Sequence, residues 1–113
     1  MVYRKVSIGI LDYDCGNVNS LCAIIKSLGF NAFVSKDKFA LQNSDLMILP
    51  GVGNFFFAMQ KLRKIKMTKF IKSYSKKKPI IGICLGMQLL FSTGSETKKT
   101  KGLDVIKGQI KKF

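Results

Sequence analysis

Three short, almost uninterrupted apolar runs constrain this chain more than any other feature: Val6-Ser7-Ile8-Gly9-Ile10-Leu11, Asp45-Leu46-Met47-Ile48-Leu49 and Ile80-Ile81-Gly82-Ile83. A strand that is apolar at successive positions, rather than at alternate ones, is buried on both faces, as in a parallel sheet covered by helices. Each run leads through a turn into a helical pattern. After Asp12-Tyr13-Asp14-Cys15-Gly16-Asn17, the residues Val18, Leu21, Cys22, Ile25 and Leu28 recur at helical spacing. Asn17 suits the N-cap of that helix, and Gly29 suits its end. Asn31-Ala32-Phe33-Val34 predicts a further strand. Phe55 to Leu62, capped at Asn54, and Met67 to Tyr74 predict helices, and Pro79 bars the second from running on. Cys84 to Phe91 predicts a helix, Ser92 to Gly102 a polar loop, and Val105-Ile106 with Gln109-Ile110 a hairpin or edge strands.

Strands alternating with helices predict an α/β fold, a mostly parallel sheet flanked by helices. A chain of 113 residues fits one such domain. Ligands of these sheets bind beyond the carboxyl ends of the strands. The turns at 12–17, 50–53 and 82–86 are therefore expected to converge on one crevice.

Composition narrows the chemistry. Histidine is absent, which excludes a His-ligated zinc site and a Cys–His pair within these residues. The three cysteines, Cys15, Cys22 and Cys84, form no CxxC and no even-numbered framework, so a reduced, cytosolic setting is expected. Cys22 falls on the apolar helix face and reads as core. Cys15 reads as an incidental turn thiol that oxidation could reach. A hydrophobic content of 47% excludes disorder along most of the chain. Apolar runs such as Phe55 to Met59 are too short to span a bilayer, and no secretory signal core follows Met1 to Lys5. Net charge is +14, yet eighteen of the twenty basic residues are lysines, with only Arg4 and Arg63 to read bases. That pattern suits a solvated lysine surface better than a nucleic-acid interface.

Gly82-Ile83-Cys84-Leu85-Gly86 sits between an apolar strand and a helical segment. It is the thiol counterpart of the G-x-S-x-G elbow, in which a strained turn lifts the nucleophile and flanking glycines let strand and helix close around it. A helix start favours the anionic, reactive form of a thiol. Read this way, Cys84 is the nucleophile and the Leu85 N–H an oxyanion donor. Pro50-Gly51-Val52-Gly53 could turn a second N–H toward the same crevice. It lacks the third glycine of a dinucleotide-binding loop, so a Rossmann reading is poor.

Three blocks now carry a resemblance: Asp12-Tyr13-x-x-Gly16-Asn17-x-x-Ser20, Pro50-Gly51-Val52-Gly53-x-Phe55-x-x-x-Met59 and Gly82-Ile83-Cys84-Leu85-Gly86-Met87-Gln88-Leu89-Leu90-Phe91. In this order and spacing they resemble the class I glutamine amidotransferase family from about Ser7 to Phe113, and within it the branch of glutaminase subunits serving imidazole glycerol phosphate synthesis. The resemblance implies a flavodoxin-like three-layer fold. It implies that Cys84 attacks the side-chain amide of glutamine, forms a glutamyl thioester and releases ammonia. Leu85 N–H, with an N–H from Gly51 or Val52, would hold the oxyanion. Gln88 and Glu96 would contact glutamine. The turn bearing Gly16 and Asn17 would face a (β/α)₈-barrel cyclase, the heterodimer partner that receives the ammonia. No cofactor or metal is implied.

Members of that family are nearly twice this length and take a catalytic His and Glu from a C-terminal segment behind a Pro-His-x-Gly-Trp motif. These residues lack both the motif and any histidine. Residues 1–113 are therefore expected to form the N-terminal part of a single amidotransferase domain, truncated at the C-terminus and inactive alone. Two other readings stand beside this one: a paralogue supplying ammonia for sugar amidation in surface polysaccharide synthesis, and a non-catalytic binding module for the barrel partner.

Overall fold

A computed structural model describes residues 6–95 and 99–111. In chain order the elements are β1 (Ser7–Leu11), α1 (Val18–Ser27), β2 (Asn31–Ser35), α2 (Lys38–Gln42), β3 (Leu46–Leu49), α3 (Phe55–Lys64), α4 (Thr68–Ser75), β4 (Ile80–Gly82), α5 (Leu85–Leu89), β5 (Phe91–Gly94), β6 (Thr100–Lys101) and β7 (Ile106–Ile110). The first four strands form a parallel sheet in the order β2-β1-β3-β4. The order reverses between β1 and β3, so the crevice of this sheet opens at their carboxyl ends.

The apolar runs feed two cores. Ile8, Ile10 and Ile48 pack on one face with Val18, Cys22 and Ile25 of α1. Leu11, Met47 and Leu49 point to the other face, against Phe55, Met59 and Leu62 of α3, Ile71 of α4 and Leu89 of α5. Successive strand residues thus alternate between two buried faces, which is why the runs carry no polar alternation. At β4, the sheet's edge among the described residues, Ile81 lies level with Ile48 yet remains 47% exposed.

Local signals set the helix ends. The Asn17 side chain accepts from Ser20 N–H at the start of α1. Gly29, at φ +96°, takes the left-handed position after its end. The Asn54 side chain accepts from the N–H groups of Phe56 and Phe57 at the start of α3. All described lysines are exposed except Lys78, which is half-buried and donates to the carbonyls of Gln42 and Ser44. No helix among the described residues is long and apolar enough to cross a membrane.

The structure departs from the sequence expectations in three places and decides between two alternatives in a fourth. Helix α5 stops at Leu89 rather than reaching Phe91. Ser92 to Gly102 is not all loop: β5 and β6 lie within it. Of the hairpin and the edge strands expected there, Ile106 to Ile110 forms an edge strand, β7, parallel to β5 in a sheet of order β6-β5-β7. These polar strands form through tertiary contacts that local pattern does not encode. Gly94 packs on the Phe55 ring, and Ser92 Oγ donates to Asp104 and accepts from Gly108 N–H. Lastly, Lys38–Gln42 forms α2 with only Leu41 buried, too short to print a helical period.

Asp104 ties β5 to the surface through Lys107 (2.7 Å), Ser92 (2.7 Å) and Lys72 (3.6 Å). The Lys107 and Ser92 hydrogen bonds hold its carboxyl down at about 2. Because the folded value lies below the unfolded one, the interaction stabilises the fold above about pH 4 and fades as pH falls from there toward 2. Asp104→Asn is expected to flatten the acid limb of a urea-midpoint profile in that window. An unchanged slope would refute the assignment.

Candidate active site

Cys84 occupies the turn between β4 and α5 at φ 54° and ψ −121°, a conformation that side chains rarely adopt. Holding it costs about 1–3 kcal/mol, supplied by the surrounding packing. The flanking glycines explain how. A Cβ on Gly82 would lie 2.5 Å from the Met87 Cα, and one on Gly86 would overlap the Leu49 carbonyl oxygen. Only bare backbone at both positions lets β4, α5 and β3 close around the thiol. Cys84 is exposed, whereas Cys15 and Cys22 are buried. Burial of Cys22 agrees with its expected core place. Cys15 lies in its expected turn and is buried there, which removes the exposure that oxidation would need, and that burial pushes the Cys15 thiol up against the opposing pull of Lys61. Alkylation by iodoacetamide is accordingly expected at Cys84 at least about tenfold faster than at Cys15 or Cys22. Mass mapping that found equal modification would contradict this burial pattern.

The three turns do converge. Tyr13, 3% exposed after β1, donates its hydroxyl to the Pro50 carbonyl at 2.5 Å. Burial pushes the Tyr13 phenol far above its ordinary range, with a smaller push from Cys15, so it remains a neutral donor. Gly16, at φ +126°, lies against Pro50 and Gly51. Leu85 N–H donates to the Gly51 carbonyl at 3.2 Å.

That last contact bears on the expected oxyanion donors. Gly51, Val52 and Leu85 are brought together, but the Gly51 carbonyl occupies the Leu85 N–H. The donor is present and closed. Val52 is 63% exposed on the same loop. Gln88 sits partly exposed on α5, its N–H bonded to the Cys84 carbonyl at 3.4 Å. Glu96 lies outside the described residues. Gly16 and Asn17 are exposed, with the Asn17 side chain engaged in capping α1.

Sequence reasoning gave Tyr13 no role. The available signal was a tyrosine ending a buried strand, since a buried phenol needs a hydrogen-bond partner. Lys61 was also passed over. Its Nζ donates to the Asp14 carbonyl, and with Lys36 and Lys64 it lines a depression of 220 Å³ beside Asp12 and Tyr13. A larger cavity of 320 Å³, lined by Phe70, Tyr74 and Lys78, lies at the opposite, amino end of the strands. Among the described residues no group of His, Cys, Asp or Glu could hold a metal ion.

The family model for glutamine amidotransferase class-I matches residues 10–112. The chain belongs to the class I glutamine amidotransferase family. Among amidotransferase relatives, it is 44% identical over 107 residues to the imidazole glycerol phosphate synthase subunit HisH of Halalkalibacterium halodurans, covering 94% of this chain and 50% of that protein. It is 39% identical over 103 residues to the protein of the same name from Methanopyrus kandleri, covering 91% and 52%. The chain thus spans about half the length of the curated relatives it matches. Solved structures share the fold. A protein described as a peptidase E of Listeria monocytogenes superposes with a TM-score of 0.70 at 15% identity, over 89% of this chain and 63% of that one. A Thermoplasma acidophilum protein described as belonging to GMP synthase gives 0.59 at 20% identity, over 77% and 44%.

Proposed function

We propose that this chain is the nucleophile-bearing, N-terminal part of a single glutaminase domain of the imidazole glycerol phosphate synthase type, acting in the cytosol. The observation that carries the reading is Cys84, exposed on a left-handed turn that Gly82 and Gly86 alone make possible. The HisH relatives, at 44% and 39% identity, favour this branch over the sugar-amidating alternative.

In the proposed reaction the Cys84 sulfur adds to the side-chain amide carbon of glutamine, and the carbonyl oxygen becomes an oxyanion. Collapse of that adduct breaks the C–N bond. The nitrogen takes a proton and leaves as ammonia, and a glutamyl thioester remains. Water then adds to the thioester carbon and releases glutamate and the thiol. The proton transfers need a base and acid that these histidine-free residues do not contain, so the remaining half of the domain supplies them. For Leu85 N–H to serve the oxyanion, the Gly51–Val52 peptide must first rotate its carbonyl away. That rotation would aim the Val52 N–H into the crevice, giving two donors. Gln88 and Glu96 would hold the glutamine. The Gly16–Asn17 turn would face a (β/α)₈ cyclase that takes up the ammonia.

The test pairs the complete domain with the cyclase subunit of the same genome. Association is expected to survive Cys84→Ala, while glutamate release by the complex is lost. Glutamate release that persisted in Cys84→Ala would sink the reading.

A further inference from the structure

We propose that the cavity at the amino end of the strands binds a phosphate monoester of mononucleotide size, its dianionic phosphate held by Lys77 and Lys78 and its heterocyclic ring laid against Phe70. The cavity measures 320 Å³. That is the small end of the range for ligand sites, about 300–1,000 Å³, with room for one ring and one phosphate. It lies between the residues that precede β3 and those that precede β4, at the opposite end of the strands from Cys84. The proposal therefore neither uses nor depends on the glutaminase reading.

The positive charge here is anchored. Lys78 alone among the described lysines is half-buried. Its Nζ donates to the carbonyls of Gln42 at 2.6 Å and Ser44 at 2.8 Å, and it sits 5.7 Å from the centre of the Tyr74 ring. Tyr74 is held in turn, with its hydroxyl 2.9 Å from the Ser44 Oγ. These contacts fix the ammonium at the cavity wall and leave it one N–H. All of its partners are neutral. Among the described residues no carboxylate pairs with it: the ion pairs there go to Asp104, and Asp45, next to Ser44, accepts from the Ser7 N–H. A partly desolvated ammonium with no counter-ion favours any anion that reaches it. Lys77 lines the same cavity, and no carboxylate does. Two lysine point charges suit a phosphate dianion, whereas the fork of an arginine would suit a carboxylate.

Phe70 supplies the flat face. Its ring is half-buried and is set against Tyr74 at 6.0 Å and 49°. Bases of any identity stack on such a face. The amides of Gln42 and Asn43 are exposed on the cavity wall, and each carries the donors and the acceptor that pair with the edge of a heterocycle. Asn43 gives one Nδ2–H to the Phe39 carbonyl at 3.1 Å, which orients its amide and leaves the Oδ1 as an acceptor.

An NMR titration of the chain with AMP, in about 0.15 M salt to screen long-range attraction, tests this. Saturable shifts are expected at the amides of Asn43, Ser73, Lys77 and Lys78 and at the side-chain amides of Gln42 and Asn43. Adenosine, which lacks the phosphate, and inorganic phosphate, which lacks the ring, are each expected to bind at least about tenfold more weakly. Lys78→Gln should weaken AMP binding at least about tenfold, the effect of one charge-assisted hydrogen bond. Lys64→Gln, at the other end of the strands, should change it less than about twofold. If Lys78→Gln does not fold, Lys77→Gln decides, with a loss of at least about threefold expected. The proposal is overturned if AMP gives no saturable shift, or if adenosine or phosphate alone binds as tightly. It is also overturned if the shifts spread over lysines at both ends of the sheet, or if Lys64→Gln costs as much as the cavity variants. Each of these would mean adsorption to a basic surface or no site at all, and none would touch the glutaminase reading, which fails on the fate of glutamate release in Cys84→Ala.

Discussion

Joined to the C-terminal half of a HisH relative, this chain is expected to hydrolyse glutamine at least about 10²–10⁴-fold faster than it does alone. The range is what positioned proton transfer supplies to a reaction, and positioned proton transfer is what the 113 residues lack. They contain no histidine, and the Cys84 side chain makes no capping hydrogen bond at the start of α5. The relatives carry about as many residues again, since this chain covers 50% and 52% of their lengths. Glutamate release by the joined protein, by the chain alone and by the joined Cys84→Ala variant separates the contributions. Steady turnover by the chain alone, abolished by Cys84→Ala, would show that the base lies within these residues and would overturn the division of labour proposed here.

Gly86→Ala is expected to cost at least about 3 kcal/mol of stability, a large fraction of the 5–15 kcal/mol a domain possesses. The added methyl would overlap the Leu49 carbonyl oxygen and approach the Leu49 carbonyl carbon to 2.7 Å and the Pro50 oxygen to 2.9 Å. All three are backbone atoms of the strand and turn that form the other wall of the site, so no side chain can swing aside. Gly53 supplies the control. It has φ +104° but nothing within 4 Å of an added Cβ, so Gly53→Ala carries only conformational strain of about 1–2 kcal/mol. Urea unfolding of the two variants compares steric closure with backbone strain. Equal midpoints would mean that α5 does not need to approach β3 this closely.

Much of this fold was legible because the parallel strands are buried on both sides. Ile8, Gly9, Ile10 and Leu11 announce a strand whichever face each residue serves. Asn17, Gly29 and Asn54 then mark helix ends by local chemistry. Legibility failed where tertiary contacts decide. Ser92 and Thr93 have no strand-like pattern, and they pair because β7, Asp104 and the Phe55 ring are there to receive them. The site was legible to a similar depth. The glycines around Cys84 betray the close approach of strand and helix, and the three turns meet as the sheet topology requires. The direction of one peptide was not legible. Whether Gly51 offers Leu85 an oxygen, or leaves it open to a substrate oxyanion, depends on a rotation that residue identity permits either way. Tyr13 belongs to the same class, a buried phenol whose acceptor lies 37 residues along the chain.

The central claim is that Cys84 forms a covalent bond to the glutamyl group. Acid-quenching the joined protein during turnover, followed by peptide mass mapping, tests it most directly. A glutamyl adduct is expected on the peptide containing Cys84, disappearing as glutamine is exhausted. Turnover with no adduct at Cys84, or with the adduct on another residue, would contradict it.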